Sequence, residues 1–180
     1  MSGAGPAASR RAVLALGSNL GDRLATLQGG VDALLGPPGL ALVALSPVYE
    51  TVPVGGPPQP GYLNAVLIVE TALSPADLLR RAQETEAAFG RVRQEVWGPR
   101  TLDVDVIVYG DVVSDDPELT LPHPRAQERA FVLAPWLDAD PDAEIPGQGR
   151  VAALLDAVVA RSGGQPGVRR LGHVQLRWPA

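Results

Sequence analysis

Apolar positions along the chain alternate between short runs and wider, helically spaced patterns. Four runs of branched apolar residues, each bounded by glycine, proline or polar residues, predict strands. Apolar residues that recur every three or four positions predict one helix after the first strand and another after the third. The predicted strands cover residues 11–16, 40–49, 62–70 and 102–109, and the predicted helices cover residues 22–35 and 74–89.

The order of these elements is β-α-β-β-α-β. No helix separates the second and third strands, which favours an antiparallel pair. The order predicts an α+β fold of the ferredoxin-like kind, an antiparallel sheet with helices on one face. We expect C-terminal additions: a short helix within 125–137 that Pro135 interrupts, loops at 115–124 and 138–149, and an amphipathic helix from Val151.

The length of 180 residues suits one domain. We divide the chain into a flexible N-terminal segment (1–10), a single domain (11–161) and a loosely held Gly/Arg-rich tail (162–180). The chain has no cysteine, which excludes disulfides and cysteine-based zinc sites. The first ten residues lack the apolar segment of a signal peptide, and no stretch is suited to a membrane span. These observations fit a cytoplasmic protein, and we expect the chain to be a monomer.

The charge of the chain narrows the range of functions. A net charge of −5 argues against a general nucleic-acid binder. All 15 basic residues are arginine, which excludes a P-loop lysine, a kinase lysine and a Schiff-base lysine. If this protein handles phosphate groups, arginine side chains and a metal ion must bind them.

The richest stretch of candidate chemistry lies between residues 90 and 105. An arginine-bearing Gly/Trp loop runs directly into a predicted strand with two carboxylates at positions i and i+2, which face the same side of the strand. Such a pair suits Mg²⁺, which takes one or two carboxylates and keeps its other positions for water and phosphate. A solvated strand edge or a ladder of salt bridges would also fit these charges. The residues concerned are Arg91, Arg93, Arg100, Asp103 and Asp105.

Four ordered motifs together resemble one family. They are LGSNLGDR, SPVYETVPVGG with QPGYLNAV, GRVRQEVWGPRTLDVDVIVYGD, and LTLPHPRAQERAFVLAPW, and the resemblance covers residues 12–155. The sequence is similar to the 6-hydroxymethyl-7,8-dihydropterin pyrophosphokinases of folate biosynthesis. The resemblance implies transfer of pyrophosphate from ATP to the pterin hydroxymethyl group, with release of AMP and with two Mg²⁺ ions.

The resemblance also assigns roles to individual residues. Asp103 and Asp105 would bind both metal ions, and Arg91 and Arg100 would hold phosphate during transfer. The pterin pocket would consist of Thr51, Pro53, Val54, Tyr62, Asn64 and Phe131, in which Tyr62 and Phe131 sandwich the ring and Asn64 reads its pyrimidine edge. The ATP site would consist of Gln83, Glu86, Arg91, Arg93, Trp97, Arg100, Thr120, His123 and Arg129, with Arg93 closing over the nucleotide.

Two other functions fit parts of the sequence. A nucleotidyltransferase also carries a D-x-D strand beside a Gly-Ser turn, although here Gly17 and Ser18 lie far upstream of Asp103. A non-catalytic ferredoxin-like domain that senses a nucleotide would leave the aspartate pair unexplained. The released product separates these readings, because pyrophosphoryl transfer from ATP gives AMP and nucleotidyl transfer gives pyrophosphate.

Overall fold

The computed structural model describes residues 8–51, 61–90 and 102–179. The strands are β1 (Arg10–Ser18), β2 (Leu40–Leu45), β3 (Tyr49–Thr51), β4 (Leu63–Thr71), β5 (Asp103–Tyr109), β6 (Ser114–Asp116), β7 (Leu119–Leu121), β8 (Glu144–Ile145), β9 (Gly149–Arg150) and β10 (Val168–Arg170). The α-helices are α1 (Arg23–Leu35), α2 (Pro75–Gly90), α3 (Ala130–Ala139) and α4 (Val151–Arg161), and a 3₁₀ turn covers Ala126–Glu128.

The main sheet is antiparallel throughout. Strand β1 lies between β4 and β5. Strands β2 and β3 pair with successive parts of β4, and β10 pairs with β3 at the outer edge. The expectation of an antiparallel sheet with helices is therefore confirmed. The short strand pairs β6–β7 and β8–β9 form two separate hairpins.

Helices cover both faces of this sheet. On one face, Leu14 of β1 packs in a cluster with Leu27 of α1 and Leu78 of α2. On the other face, the neighbouring Val13 packs in a cluster with Leu133 of α3. The expected one-sided arrangement holds for α1 and α2 only. The second layer forms because the central parts of β1 (12–16) and β4 (65–69) are apolar at every position, so both faces of the sheet must be covered there.

Three local elements differ from the sequence prediction. The predicted strand 40–49 is split into β2 and β3, because Pro47 has no N–H to donate to the ladder. The predicted loops 115–124 and 138–149 contain the two hairpins. Pro135 does not interrupt α3, since the helix is packed on the sheet through its buried residues, and that packing outweighs one lost hydrogen bond. The predicted helix from Val151 is confirmed.

Part of the C-terminal segment belongs to the sheet. Val168 pairs with Thr51 and Arg170 with Tyr49, while Leu176 is buried against the α1 side of the core. The expectation of a loosely held tail is wrong for these residues. The strand was not predicted because a run of only three residues, Val-Arg-Arg, carries little strand signal. The division of the chain at residue 162 stays a prediction, and residues 1–7 of the N-terminal segment lie outside the described residues. Among the helices described, none is both long and apolar enough to cross a membrane.

Candidate functional site

An open cavity of about 1150 Å³ lies on the α3/α4 face of the sheet. It is lined by the ends of β1, β3 and β5, the start of α3 and the C-terminal segment. The cavity brings together residues that the sequence assigned to different parts of the site. These are Thr51, Tyr62, Asn64, Asp103, Asp105, Arg129 and Phe131.

The floor of the cavity is made by two small residues of β1. Gly17 pairs with Asn64 on one side and with Asp103 on the other, and Ala15 pairs with Asp105. The absence of large side chains at these two positions leaves space above the sheet. A Cβ atom on Gly17 would lie 3.2 Å from Oδ1 of Asn64, which is closer than ordinary van der Waals contact, so a larger residue here would press on the Asn64 amide.

The carboxylate end of the cavity holds both candidate metal ligands. Asp103 and Asp105 are both partly exposed, and both line the cavity, as expected for alternate residues of one strand. Between them, the backbone N–H of Val104 donates a 2.7 Å hydrogen bond to Oε1 of Glu86 on α2. This bond anchors β5 to α2 from the side away from the cavity, and so fixes the strand that carries the two aspartates.

An arginine faces the aspartate pair across the cavity. Nη1 of Arg129 lies 3.8 Å from Oδ2 of Asp105, and its guanidinium lies 5.5 Å from the centre of the Phe131 ring. The distance to Asp105 is long for an ion pair, and both groups keep access to solvent. Arg129 can therefore reach an anionic ligand in the cavity without breaking a buried bridge.

The donor set suits one kind of metal ion. No group of three acidic, histidine or cysteine side chains is arranged to hold a metal within residues 8–51, 61–90 and 102–179. Two carboxylates on one strand face can instead supply the protein ligands of a Mg²⁺ site whose other positions are filled by phosphate and water. Asp103 and Asp105 therefore fit Mg²⁺ bound together with a phosphate-bearing ligand.

The opposite end of the cavity combines a buried amide with aromatic rings. Asn64 is only 4% exposed, and its Nδ2 donates a 3.3 Å hydrogen bond to the carbonyl of Tyr62. Tyr62 is 38% exposed, which leaves its ring available to a ligand. Thr51 holds the Tyr62 backbone in place through two hydrogen bonds. The Thr51 N–H donates to the Tyr62 carbonyl, and Oγ1 of Thr51 accepts from the Tyr62 N–H at 2.8 Å. Phe131 reaches the cavity from α3.

Four predicted ATP-site residues do not line this cavity. Gln83 is exposed on the outer surface of α2, and the Thr120 hydroxyl donates to the Asp116 carbonyl in the β6–β7 hairpin. Glu86 contacts β5 as described above. His123 is partly buried, and its backbone N–H donates to Ile107 of β5. Burial lowers the pKa of His123, and the nearby Asp105 carboxylate opposes that effect. The ATP roles of these residues stay predictions.

Pro53, Val54, Arg91, Arg93, Trp97 and Arg100 lie outside the described residues.

The cavity also contains residues that the sequence analysis did not select. Arg125 and Glu128 line it beside Arg129, and they form an exposed pair at 3.7 Å. The sequence signal that could have identified Arg125 is its closeness to Arg129, which lies just beyond the 3₁₀ turn. Residues 165–168 of the C-terminal segment also line the cavity, and no sequence pattern pointed to them.

These features define an enzyme class. A carboxylate pair that faces an arginine suits metal-assisted chemistry on phosphate groups, and a buried amide between aromatic rings suits a flat heterocycle with polar edges. Residues 13–141 match the family model of 7,8-dihydro-6-hydroxymethylpterin-pyrophosphokinase. The chain belongs to this family.

Similar proteins from several bacteria support the same family. Each is named 2-amino-4-hydroxy-6-hydroxymethyldihydropteridine pyrophosphokinase. The Mycobacterium leprae protein is 51% identical over 161 residues, which cover 83% of this chain and 82% of that protein. The Mycobacterium tuberculosis protein is 50% identical over 145 residues, 75% of each chain. The Pseudomonas aeruginosa protein is 43% identical over 148 residues, 82% of this chain and 91% of that protein.

A solved structure shows the same fold. Wild-type Plasmodium falciparum HPPK-DHPS superimposes with a TM-score of 0.69 at 14% identity. The match covers 91% of this chain but only 48% of that one, so this chain spans about half of the Plasmodium chain.

Proposed function

We propose that this chain transfers the pyrophosphate group of ATP to the hydroxymethyl group of 6-hydroxymethyl-7,8-dihydropterin in folate biosynthesis, with release of AMP. It is an ATP-dependent pyrophosphokinase, as its family and its similar proteins indicate. One structural observation carries the proposal at the level of residues. A single cavity holds an amide and aromatic rings at one end and a carboxylate pair with an arginine at the other.

The pterin binds at the end formed by Asn64, Tyr62 and Phe131. An amide side chain both donates and accepts hydrogen bonds, which matches the mixed donors and acceptors on the pyrimidine edge of a pterin. The exposed ring of Tyr62 and the ring of Phe131 supply apolar surfaces for the flat heterocycle. Gly17 and Ala15 leave the floor of the cavity low enough for the ring to lie on the sheet.

The triphosphate binds at the end formed by Asp103, Asp105 and Arg129. The two aspartates would hold Mg²⁺, with two ions as our proposal, and the bound metal would neutralise phosphate charge and polarise the phosphoryl oxygens. Arg129 would donate hydrogen bonds to phosphate oxygens. The contributions of Arg91, Arg93, Trp97 and Arg100 stay predictions from the resemblance.

The proposed transfer is a single displacement at the β-phosphorus of ATP. The pterin hydroxymethyl oxygen forms a bond to the β-phosphorus of ATP and loses its proton. The bond between this phosphorus and the α–β bridging oxygen breaks, and AMP leaves with that oxygen. This chain positions the two substrates in one cavity, which accounts for a large part of the rate advantage of such enzymes.

Analysis of the reaction products tests the proposed function. We expect the purified protein to form AMP and the pterin diphosphate in a one-to-one ratio when it is supplied with ATP, Mg²⁺ and the hydroxymethyl dihydropterin. Chromatography of both products measures this ratio. Release of pyrophosphate in place of AMP would indicate a nucleotidyltransferase, and ATP binding without any product would indicate a sensor domain.

We also propose that the core follows the ferredoxin-like plan. Strands β1, β2/β3, β4 and β5 with helices α1 and α2 occur in the β-α-β-β-α-β order, and β1 and β4 occupy the centre of the sheet. The predicted cytoplasmic location and the predicted monomeric state stay predictions.

Replacement of Gly17 tests the floor of the pterin end. We expect Gly17→Ala to weaken pterin binding by about three- to tenfold, since overpacking costs on the order of 1 kcal/mol or more and the new Cβ would press on Oδ1 of Asn64. ATP binding should change little. Gly172→Ala is the matched control, because a Cβ there meets no atom within 4 Å. Calorimetric titration with each ligand measures the two affinities. Unchanged pterin affinity would show that the pterin does not bind against Gly17.

A further inference from the structure

We infer that three charged residues behind the cavity wall, Arg23, Glu50 and Arg169, position the pterin end of the site. We call them the rear cluster. This inference rests on the proposed function, and it assigns the three residues a role in pterin binding that none of the sequence motifs indicated. None of the three lines the cavity, so they are positioning residues and not catalytic ones.

The rear cluster centres on a mostly buried carboxylate. The Glu50 side chain is 18% exposed and accepts from Arg23 through Oε2 at 2.9 Å. Its other oxygen, Oε1, accepts from Nη2 of Arg169 at 2.7 Å and from Nε of Arg169 at 3.2 Å. The Arg169 guanidinium, and then that of Arg23, lower the pKa of the Glu50 carboxyl against the opposing effect of burial. One carboxylate therefore ties α1, β3 and β10 together.

Arg23 contacts two separate parts of the chain that both adjoin the pterin end of the cavity. Nη1 of Arg23 donates to Glu50 and also to the carbonyl of Gly61 at 2.6 Å. Gly61 lies directly against the Thr51 backbone, because an added Cβ would overlap the Thr51 carbonyl oxygen. Arg23 thus fixes residue 50 and residue 61 relative to each other, and these residues are the neighbours of Thr51 and Tyr62.

Strand geometry explains how a cluster outside the cavity can set its shape. Successive side chains of a strand point to opposite faces, so Glu50 points away from the face that Thr51 presents to the cavity. Thr51 in turn fixes Tyr62 through its backbone N–H and its hydroxyl oxygen. On the other side, Val168 pairs with Thr51 and lines the cavity next to it. A shift of Glu50 or Arg169 must therefore move the surface on which the pterin lies.

The rear cluster is distinct from an ordinary surface ion pair. Removal of the Glu50 charge would leave two guanidinium groups close together with no carboxylate between them, which favours separation of β10 from β3. The pair Arg11–Glu70 near the other end of β4 is a useful contrast, because its carboxylate is 38% exposed against 18% for Glu50, and its contact is 3.4 Å long. Loss of such an exposed pair has little effect.

Three variants of the rear cluster test the inference. We expect Glu50→Gln and Arg169→Gln each to weaken pterin binding by about tenfold, because displaced positioning groups reduce function by up to about a hundredfold. ATP affinity and kcat at saturating pterin should stay within about twofold of the wild type, since the aspartate end is unaffected. Arg169→Lys should give an intermediate pterin affinity, because lysine keeps the charge but not the paired donors.

Fluorescence titration with the pterin, calorimetry with ATP and steady-state kinetics supply these measurements. Glu70→Gln is the matched control, with no change expected in either affinity. Far-UV circular dichroism and thermal unfolding check the fold, and Arg169→Gln provides the test if Glu50→Gln does not fold.

The possible outcomes separate this inference from the proposed function. Normal pterin binding in the folded variants, or equal losses of pterin and ATP affinity, would overturn the positioning role while the activity of the wild type stands. A wild-type protein that binds no pterin would overturn both the proposed function and the inference.

Discussion

Replacement of Asp103 or Asp105 by alanine is expected to lower turnover by about a thousandfold or more, while the protein remains folded. A bound metal ion supplies several kcal/mol of charge stabilisation, and each 1.4 kcal/mol corresponds to about tenfold in rate. The stability of the fold should change little. Nη1 of Arg129 lies 3.8 Å from Asp105, a distance at which an ion pair contributes little, and removing one of two neighbouring like charges relieves repulsion.

The measurement is single-turnover AMP formation at saturating ATP and pterin over a range of Mg²⁺ concentrations. Asp111→Ala is the matched control, since Asp111 follows the same strand but its side chain is 92% exposed and pairs only loosely with Arg10. Its activity should equal that of the wild type. Near-normal turnover of either site variant in Mg²⁺ would show that the metal assignment is wrong, and unfolding of both variants would show that the pair is structural.

Much of the central fold could be predicted from the sequence, because its strands and helices carry strong periodic signals. The run containing Val13 and Leu14 is apolar on both faces, and α1 and α2 begin at polar capping residues. The sequence did not predict β10, β6–β7 or β8–β9. These strands are two or three residues long and depend on contacts with distant parts of the chain.

The candidate site could be predicted only in part, because several of its residues meet through long-range packing. Asp103 and Asp105 carry their own signal, since two carboxylates at i and i+2 in an apolar strand require a partner. The roles of Asn64, Tyr62 and Phe131 came from the resemblance and not from local pattern. Arg125 and residues 165–168 reach the cavity only because α3, α4 and the C-terminal segment fold back over the second face of the sheet. Short-range periodicity contains no information about such long-range packing.

Asn64→Ala and Phe131→Leu are expected to weaken pterin binding far more than ATP binding. A polar edge of the pterin left unpaired in a buried slot costs about 1–3 kcal/mol. Loss of a stacking face adds roughly 0.5–1.5 kcal/mol. Leucine is chosen at position 131 because Phe131 also packs against the core, and an apolar side chain keeps most of that contact.

The geometry around Asn64 makes its substitution a clean test of ligand binding. The Tyr62 carbonyl that accepts from Asn64 also accepts from the Thr51 backbone N–H at 2.9 Å, so it stays paired in Asn64→Ala. The fold should therefore lose little, and the affinity change should report mainly the missing contacts with the pterin. Separate calorimetric titrations with pterin and with an ATP analogue measure the two affinities. Trp178→Ala is the control for Phe131→Leu, because Trp178 is a 58% exposed aromatic residue that does not line the cavity. Equal losses for the two ligands would contradict the assignment of this end of the cavity to the pterin, since ATP should bind mainly at the aspartate end.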